Sequence, residues 1–310
     1  MKQEILISKE YQNIRADIAL SALMGISRSA LKGRLKKEIL VNGKSKALSY
    51  LCHENDVFEV ELETPVLPSL TPEPIPLQIL FEDKTILVIN KQAGLVVHAG
   101  GGTQNNTLVN GLLYHLKKED SLTEFGDSLR PGIVHRLDKD TSGVMVIAKN
   151  LKAMENLQKQ FASRCIEKEY RAVVAGNIRE KDLIVDEPIG RHPVDRKKMA
   201  VNSTTPSRNA FTSLHVIEHF QDTAYVAAFP KTGRTHQIRV HLAYIKHPII
   251  GDEVYGSNSL NQKFISYIRR QALHARRLKF QHPENGKELE FTAPLPKDMQ
   301  KLLDHLKTNA

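Results

Sequence analysis

The chain of 310 residues has no tryptophan, two cysteines and an aromatic content of only 6%. So few rings argue against a broad stacking platform for single-stranded nucleic acid. Cys52 and Cys165 stand far apart and form no Cys-x-x-Cys, so they read as reduced thiols and not as a disulfide framework or metal knuckle. No run of ~18 apolar residues occurs, and none of the chain is expected to cross a membrane as a helix. The start, Met1-Lys-Gln-Glu-Ile-Leu-Ile, lacks the apolar core and cleavage site of a signal peptide. These absences lead to the expectation of a cytoplasmic protein that leaves membranes alone.

What is present is ordinary in hydrophobicity (41%) and basic in charge, with 44 Lys and Arg against 35 Asp and Glu, net +9. The length accommodates two domains and at least one substantial core. A basic surplus favours a polyanionic partner, of which nucleic acid is the commonest. Residues 65–76 hold five of the 14 prolines. Such a stretch cannot continue a helix or central strand, and it reads as a semi-rigid linker or a strap over the next domain.

Ahead of it, in residues 1–64, Ile14, Ile18, Leu20 and Leu23 predict an amphipathic helix with Asp17 on its polar side. Gly25 ends it, and Ser27 is a good N-cap for a second helix running from Arg28 to Lys37. That helix carries Arg28, Lys32, Arg34, Lys36 and Lys37. A strand at 39–41 leads into an Asn-Gly turn, and residues 56–62 alternate as a closing strand. The module resembles the S4 RNA-binding domain over most of 14–62, although Ala16 stands where that family usually has Leu. Its net charge is only +1. Its expected grip on RNA therefore rests on the clustering of Ser27, Arg28, Lys32, Arg34, Lys36 and Lys37, against the blander alternative of a solvated helix face.

From 77 to 310, β-type runs at 78–81, 86–90, 95–98, 144–149, 170–175 and 224–229 are interspersed with helical patterns near 107–116, 150–163, 235–245 and 297–307. Strands and helices do not alternate strictly, so an α+β fold with a mixed, largely antiparallel sheet is expected over a doubly wound one.

The densest signal lies at 134–149, Val-His-Arg-Leu-Asp-Lys-Asp-Thr-Ser-Gly-Val-Met-Val-Ile-Ala-Lys. This segment resembles the catalytic motif of the RluA-type pseudouridine synthases. Further segments match that family in order: 89–98 (with Gln92 and Ala99 where Pro is common), Lys168-Glu-Tyr-Arg-Ala, Gly190-Arg-His-Pro, Lys231-Thr-Gly-Arg-Thr-His-Gln-Ile-Arg-Val-His-Leu, His247-Pro-Ile-Ile-Gly-Asp-Glu-Val-Tyr-Gly and Leu273-His-Ala-Arg-Arg-Leu-Lys-Phe. The likeness covers about 77–295 and is greatest to the large-subunit rRNA members, the RluC and RluD types.

The resemblance implies isomerisation of uridine in RNA with Asp138 as the essential carboxylate. Arg239 becomes its basic partner. Tyr170 becomes the aromatic residue that stacks on uracil and takes a proton at the base carbon, and Leu273 a wall of the base pocket. Arg136 is the candidate wedge for the stack that a flipped base vacates, or else a phosphate-contacting or structural arginine. Nothing is oxidised or lost in such a reaction, so neither cofactor nor metal is demanded. The implied partner is RNA, most simply large-subunit rRNA, and the implied state a monomer. A tRNA synthase and a noncatalytic ribosome-assembly factor are the alternatives.

Other readings fare worse. His135-Arg136-Leu137-Asp138 lacks the glycine loop, Val-Ala-Ile-Lys and Asp-Phe-Gly of a kinase. Gly100–Thr103 lacks the Lys-Ser/Thr ending of a phosphate loop and reads as a turn. His236 and His241 lack zinc-ligand spacing and are expected to pack or touch phosphate. Asp140 needs only a turn role.

Overall fold

A computed structural model describes residues 2–26, 28–62, 71–98, 105–116, 131–195, 197–201 and 205–309. The chain divides into two compact units, Met1–Ser69 and Leu70–Ala310. Ser27, Gly100–Thr103 and most of the proline-rich stretch lie outside the described residues.

In the first unit, strands β1 (Lys2–Leu6), β2 (Ile39–Val41), β3 (Lys44–Lys46) and β4 (Val57–Glu61) form an antiparallel sheet in the order β1-β4-β2-β3, accompanied by helices α1 (Ala16–Leu23) and α2 (Arg28–Arg34). Asn42 and Gly43 turn β2 into β3 with φ of +51° and +76°, a pair of left-handed residues that suits a two-residue hairpin. The apolar face of α1 differs from the one its periodicity suggests. Ala16, Ala19 and Leu20 pack inward, while Ile18 and Leu23 are each 42% exposed. The alanines bring the backbone close to the core, and Asp17 is buried because two guanidinium groups neutralise it. Helix α2 is also shorter than expected. After Arg34 the chain bridges Leu35 to Leu62, and the Lys36 amide donates to the Glu61 carbonyl (3.0 Å). Strand pairing ends the helix, so Lys36 and Lys37 lie beyond it.

The second unit is built on a sheet containing β5 (Ile79–Glu82), β6 (Ile86–Lys91), β7 (Ser142–Ala148), β8 (Glu167–Ala175), β9 (Asp182–Asp186), β13 (Phe211–His219), β14 (Thr223–Pro230), β15 (Leu273–Gln281) and β16 (Glu288–Thr292). Its order is β5-β6-β7-β15-β8-β14-β13-β9, with β16 beside the far half of β15. Only β7 and β15 run parallel; every other pair in this sheet is antiparallel. The fold is thus α+β with a mixed, largely antiparallel sheet. A small sheet of β10 (Ile189–Arg191), β11 (Met199–Val201) and β12 (Ser207–Arg208) stands apart.

Helix α4 (Leu151–Ala162) packs Ala153 and Leu157 on β6, β7 and β15, with Asn150 capping it by accepting from the Ala153 amide (2.8 Å). Helices α5 (Gln237–Tyr244), α6 (Asn258–Phe264) and α7 (Lys297–Thr308) pack Ile238, Leu242, Phe264, Met299, Leu302 and Leu303 with β8, β13 and β14. Helix α3 (Leu108–Leu116) lies under residues 71–77. There Asn110 donates to the Thr71 carbonyl (2.8 Å), and Gly111 makes room for Ile75, whose Cβ would stand 3.0 Å from an added methyl. Residues 71–76 of the expected linker therefore group with the second unit.

Two readings of the pattern need correction. Residues 95–98 form no strand; Val96 and Val97 give their carbonyls to the first amides of α3 instead (2.7 and 3.1 Å). Conversely β15, interior to the sheet, goes unmarked by hydropathy because of Arg277 and Lys279. Both charges are matched across strands, Arg277 by Glu169 (3.0 Å) and Glu290 (2.9 Å) and Lys279 by Glu288 (3.0 Å).

Candidate active site

Asp138 ends an irregular segment that feeds directly into β7. Its carbonyl accepts from the Thr141 amide (3.1 Å), closing a turn, and the neighbouring Leu137 is buried among Leu95, Met145 and Ile147. Gly143 explains why a Thr-Ser-Gly sequence follows. It has φ +122°, and a Cβ there would sit 2.1 Å from the Ala275 carbonyl, so only glycine lets β7 meet β15. Ser142 ties the same two strands together through His274 (2.9 Å).

The loop that carries Asp138 is also held by a cation that the sequence reading did not single out. Lys91, 1% exposed, donates to the carbonyls of Gln92 (2.8 Å), Leu95 (2.9 Å) and Lys139 (2.9 Å). Burial pulls this ammonium down to about 7, against the nearby charges of Asp140 and Asp138. Three carbonyl oxygens use all three of its protons and fix the residue that follows Asp138.

His135 is structural. It accepts from the Val146 amide (3.1 Å) and stacks on Phe161 at 4.7 Å, and burial lowers its pKa to about 3, leaving the ring neutral.

Arg239 arrives from α5. Gln237 locks the start of that helix, accepting from Thr232 Oγ1 (2.6 Å) and the Arg234 amide (3.0 Å) while donating to the Phe211 carbonyl (2.9 Å) and Thr212 Oγ1 (3.0 Å). Buried His241 adds contacts to Thr212 (2.9 Å) and the Glu187 carbonyl (3.0 Å), so it packs within the fold.

So placed, Arg239 donates Nη1 to Asp138 Oδ2 (3.0 Å) and turns a two-pronged face to Asp252 (Nε 2.7 Å, Nη2 2.9 Å). Burial alone would weaken its charge; the Asp252 and Asp138 carboxylates outweigh that and hold its pKa above the usual value. The Tyr255 ring lies 5.2 Å from the guanidinium carbon. Tyr255 hydrogen-bonds His236 (2.9 Å), whose other ring nitrogen stands 3.9 Å from Asp138. His236 has φ +56°, an uncommon conformation for a side chain of its size.

A cavity of about 470 Å³ brings together Asp138, Tyr170, Arg239, Arg136 and Leu273. Tyr170 stands on β8 between Ala228 and Ala275, small neighbours that leave its ring free to form a wall. Burial first, and the Asp138 charge second, push its phenol well above the ordinary value. Leu273 is 3% exposed, whereas Arg136 is exposed and near His98 (3.4 Å).

The first unit treats its expected RNA-gripping residues unevenly. Arg28 is committed to Asp17 (Nε 2.9 Å, with Nη2 closer still), shared with Arg15 (3.0 Å). Burial acts to raise the Asp17 pKa, but these hydrogen bonds prevail and lower it. Lys36 approaches Glu61 (3.6 Å), Arg34 is half-buried, and Lys32 and Lys37 are exposed.

Asp252 and Lys91 are the functional candidates that the sequence reading missed. Both fall in family-like segments, and the signal at Asp252 is a carboxylate directly following Pro-Ile-Ile-Gly. Among the described residues no group of three or more His, Cys, Asp or Glu could hold a metal ion, and no helix is long and apolar enough to cross a membrane. Both cysteines are free, Cys52 buried and Cys165 exposed.

Residues 85–244 match the model of the RNA pseudouridylate synthase family. An uncharacterized RNA pseudouridine synthase of Bacillus subtilis is 41% identical over 308 residues, covering 99% of this chain and 98% of that one. Ribosomal large subunit pseudouridine synthase D of Escherichia coli K12 is 39% identical, covering 98% and 94%. Among solved structures, human RNA Pseudouridylate Synthase Domain Containing 4 aligns with a TM-score of 0.58 and 27% identity over 74% of this chain and 93% of that one. The chain belongs to the RNA pseudouridylate synthase family and is an enzyme that isomerises uridine in RNA.

Proposed function

We propose that the enzyme acts on uridines of large-subunit ribosomal RNA and that Asp138 is its acting carboxylate. The observation that carries this reading is the Arg239 guanidinium, anchored on Asp252 and donating to Asp138 inside the cavity. The reaction breaks the bond from C1′ of the ribose to N1 of uracil, turns the base, and joins C1′ to C5. One proton leaves C5 and one reaches N1, so composition and oxidation state are conserved and the chain's own residues suffice.

Arg239 orients the Asp138 carboxylate toward the nucleoside. The Tyr170 ring stacks on the uracil. Its phenol stays neutral because burial disfavours the phenolate, so it does not act as an anion: the hydroxyl oxygen takes the proton leaving C5 while its own proton passes on toward N1. Leu273 packs against the base. Arg136, exposed at the cavity two residues before Asp138, fills the gap left by the flipped nucleotide. The first unit, S4-like in its sequence, adds affinity through Lys32 and Lys37. The large-subunit relatives, alignable over nearly the whole chain, support rRNA as substrate. The enzyme works as a cytoplasmic monomer.

Tritium release from large-subunit rRNA transcripts labelled at uridine C5 tests this, with Asp138→Asn as the partner experiment. The parent releases tritium; the Asn variant binds the transcript within a few fold of the parent and releases none. Turnover by verified Asp138→Asn protein removes Asp138 from the reaction. Release from tRNA but not from rRNA transfers the substrate assignment.

A further inference from the structure

The cavity wall carries more positive charge than the chemistry uses. Arg136, Arg164, Lys168, Lys231, Arg234 and Arg239 line it, and Asp138 is its single carboxylate among the described residues. Arg239 is spent on Asp138 and Asp252, and Lys168 donates to the Thr232 carbonyl (3.0 Å). Arg164, Lys231 and Arg234 are left, drawn from the end of α4 and the turn between β14 and α5. None of the three has a carboxylate partner among the described residues.

Their placement is not that of casual surface cations. Arg164 follows the C-cap of α4 with φ +61°, a left-handed position that glycine takes without cost and an arginine does not. Arg234 is fixed at its root by its amide to Gln237 (3.0 Å) and its Nε to the Asn209 carbonyl (3.0 Å), and its terminal nitrogens have no hydrogen-bond partner among the described residues. Lys231 holds its ammonium 4.9 Å from the Phe211 ring. The cluster repels itself. Burial, then the charges of Arg208 and Arg164, lower the pKa of Arg234 below the usual guanidinium value. Like charges held together in this way are relieved by an anion of several charges.

We propose that Arg164, Lys231 and Arg234 form a phosphate clamp for the RNA backbone adjoining the uridine that enters the cavity. Guanidinium forks and a lysine point charge suit phosphate oxygens, and such contacts fix register and orientation without reading sequence. The proposal rests on the reading that the cavity takes a uridine from an RNA chain.

The 310-residue chain is tested with an unmodified large-subunit rRNA transcript. Affinity is measured across salt concentrations, turnover by tritium release, and stability by Tm. Each phosphate contact contributes roughly 0.7 to the slope of log affinity against log salt on single-stranded RNA, so Arg164→Gly lowers the slope by about that much and the triple variant Arg164→Gly/Lys231→Gln/Arg234→Gln by about 2. The loss falls on KM more than on kcat. Arg164→Gly, relieved of its left-handed arginine, melts at or above the parent temperature. Lys287→Gln, an exposed charge on the β15–β16 hairpin turn and not part of the cavity lining, keeps the parent slope.

A triple variant with parental affinity and salt slope overturns the clamp. So does an Arg164→Gly variant that melts lower with an unchanged slope, which would make the arginine a helix-end stabiliser. An equal effect from Lys287→Gln also overturns it. If the parent converts no uridine, the functional reading falls, while affinity and slope still decide the clamp.

Discussion

Asp252 holds Arg239 by two hydrogen bonds, 2.7 and 2.9 Å, and leaves one guanidinium nitrogen, Nη1, to reach Asp138 at 3.0 Å. Asp252 is fully buried and also accepts from the amides of Val254 (2.9 Å) and Tyr255 (3.0 Å). It is a positioning residue, aiming the cation that aims the carboxylate. Asp252→Asn should lower kcat by roughly 100-fold, the scale of a small misplacement at a reacting centre, with little change in KM. It should also reduce stability by about 3–5 kcal/mol, since a buried cation loses its partner. Arg239→Lys should be as slow as Asp252→Asn, because one ammonium cannot serve both carboxylates. Steady-state kinetics and urea melts check both; a fully active Lys variant would contradict the account.

The two proposed contributions of Tyr170, stacking and proton transfer, should be separable. Tyr170→Phe retains the ring on β8 and removes the hydroxyl, and it should bind rRNA nearly as the parent does while turning over roughly 100-fold more slowly, at the lower end of general acid–base contributions of ~10²–10⁴. Tyr170→Ala should lose affinity as well. Equal rates for parent and Phe variant would deny the hydroxyl a chemical part.

His274 gives the fold an acid sensitivity. It is fully buried between Ser142 (2.9 Å) and the Ala293 carbonyl (3.3 Å), and burial lowers its pKa from 6.5 to about 4. Between those two values the unfolded chain binds a proton that the folded chain refuses, so unfolding free energy rises with pH. The contribution is complete above pH 6.5 and is lost as pH falls toward 4, the loss amounting to about 2 kcal/mol at pH 5. Urea midpoints should fall accordingly, and His274→Gln should flatten the curve over this window. His135 adds to the same slope from about 6.5 toward 3.

In the first unit, Arg28 and Lys32 should separate. Arg28 serves buried Asp17, so Arg28→Ala should lower the melting temperature of that unit. Lys32→Gln with Lys37→Gln, both exposed, should leave the Tm unchanged while weakening rRNA binding and its salt dependence. An unchanged salt slope in the double variant would make this face merely solvated.

The residues proposed to act on substrate could be singled out in the sequence because they lie in short contiguous motifs: Asp138 in 134–149, Tyr170 in 168–172, Arg239 in 231–242. Periodicity likewise marked α4 and α7, whose apolar stripes face a core. Adjacency in sequence says nothing of what supports those residues from afar. Asp252 lies 13 positions from Arg239, and Lys91 lies 48 from the carbonyl it holds in the Asp138 loop. Strand β15 was hidden because its charges find partners only once β8 and β16 lie alongside it. Asp17 looked like a polar-face residue until Arg15 and Arg28 closed around it. The sequence by itself determined the family motifs that nominate Asp138, Tyr170 and Arg239, and the local helical and strand preferences. Only the tertiary structure decided which charges are buried, paired and aimed, because a charge can leave water only where long-range packing delivers its partner.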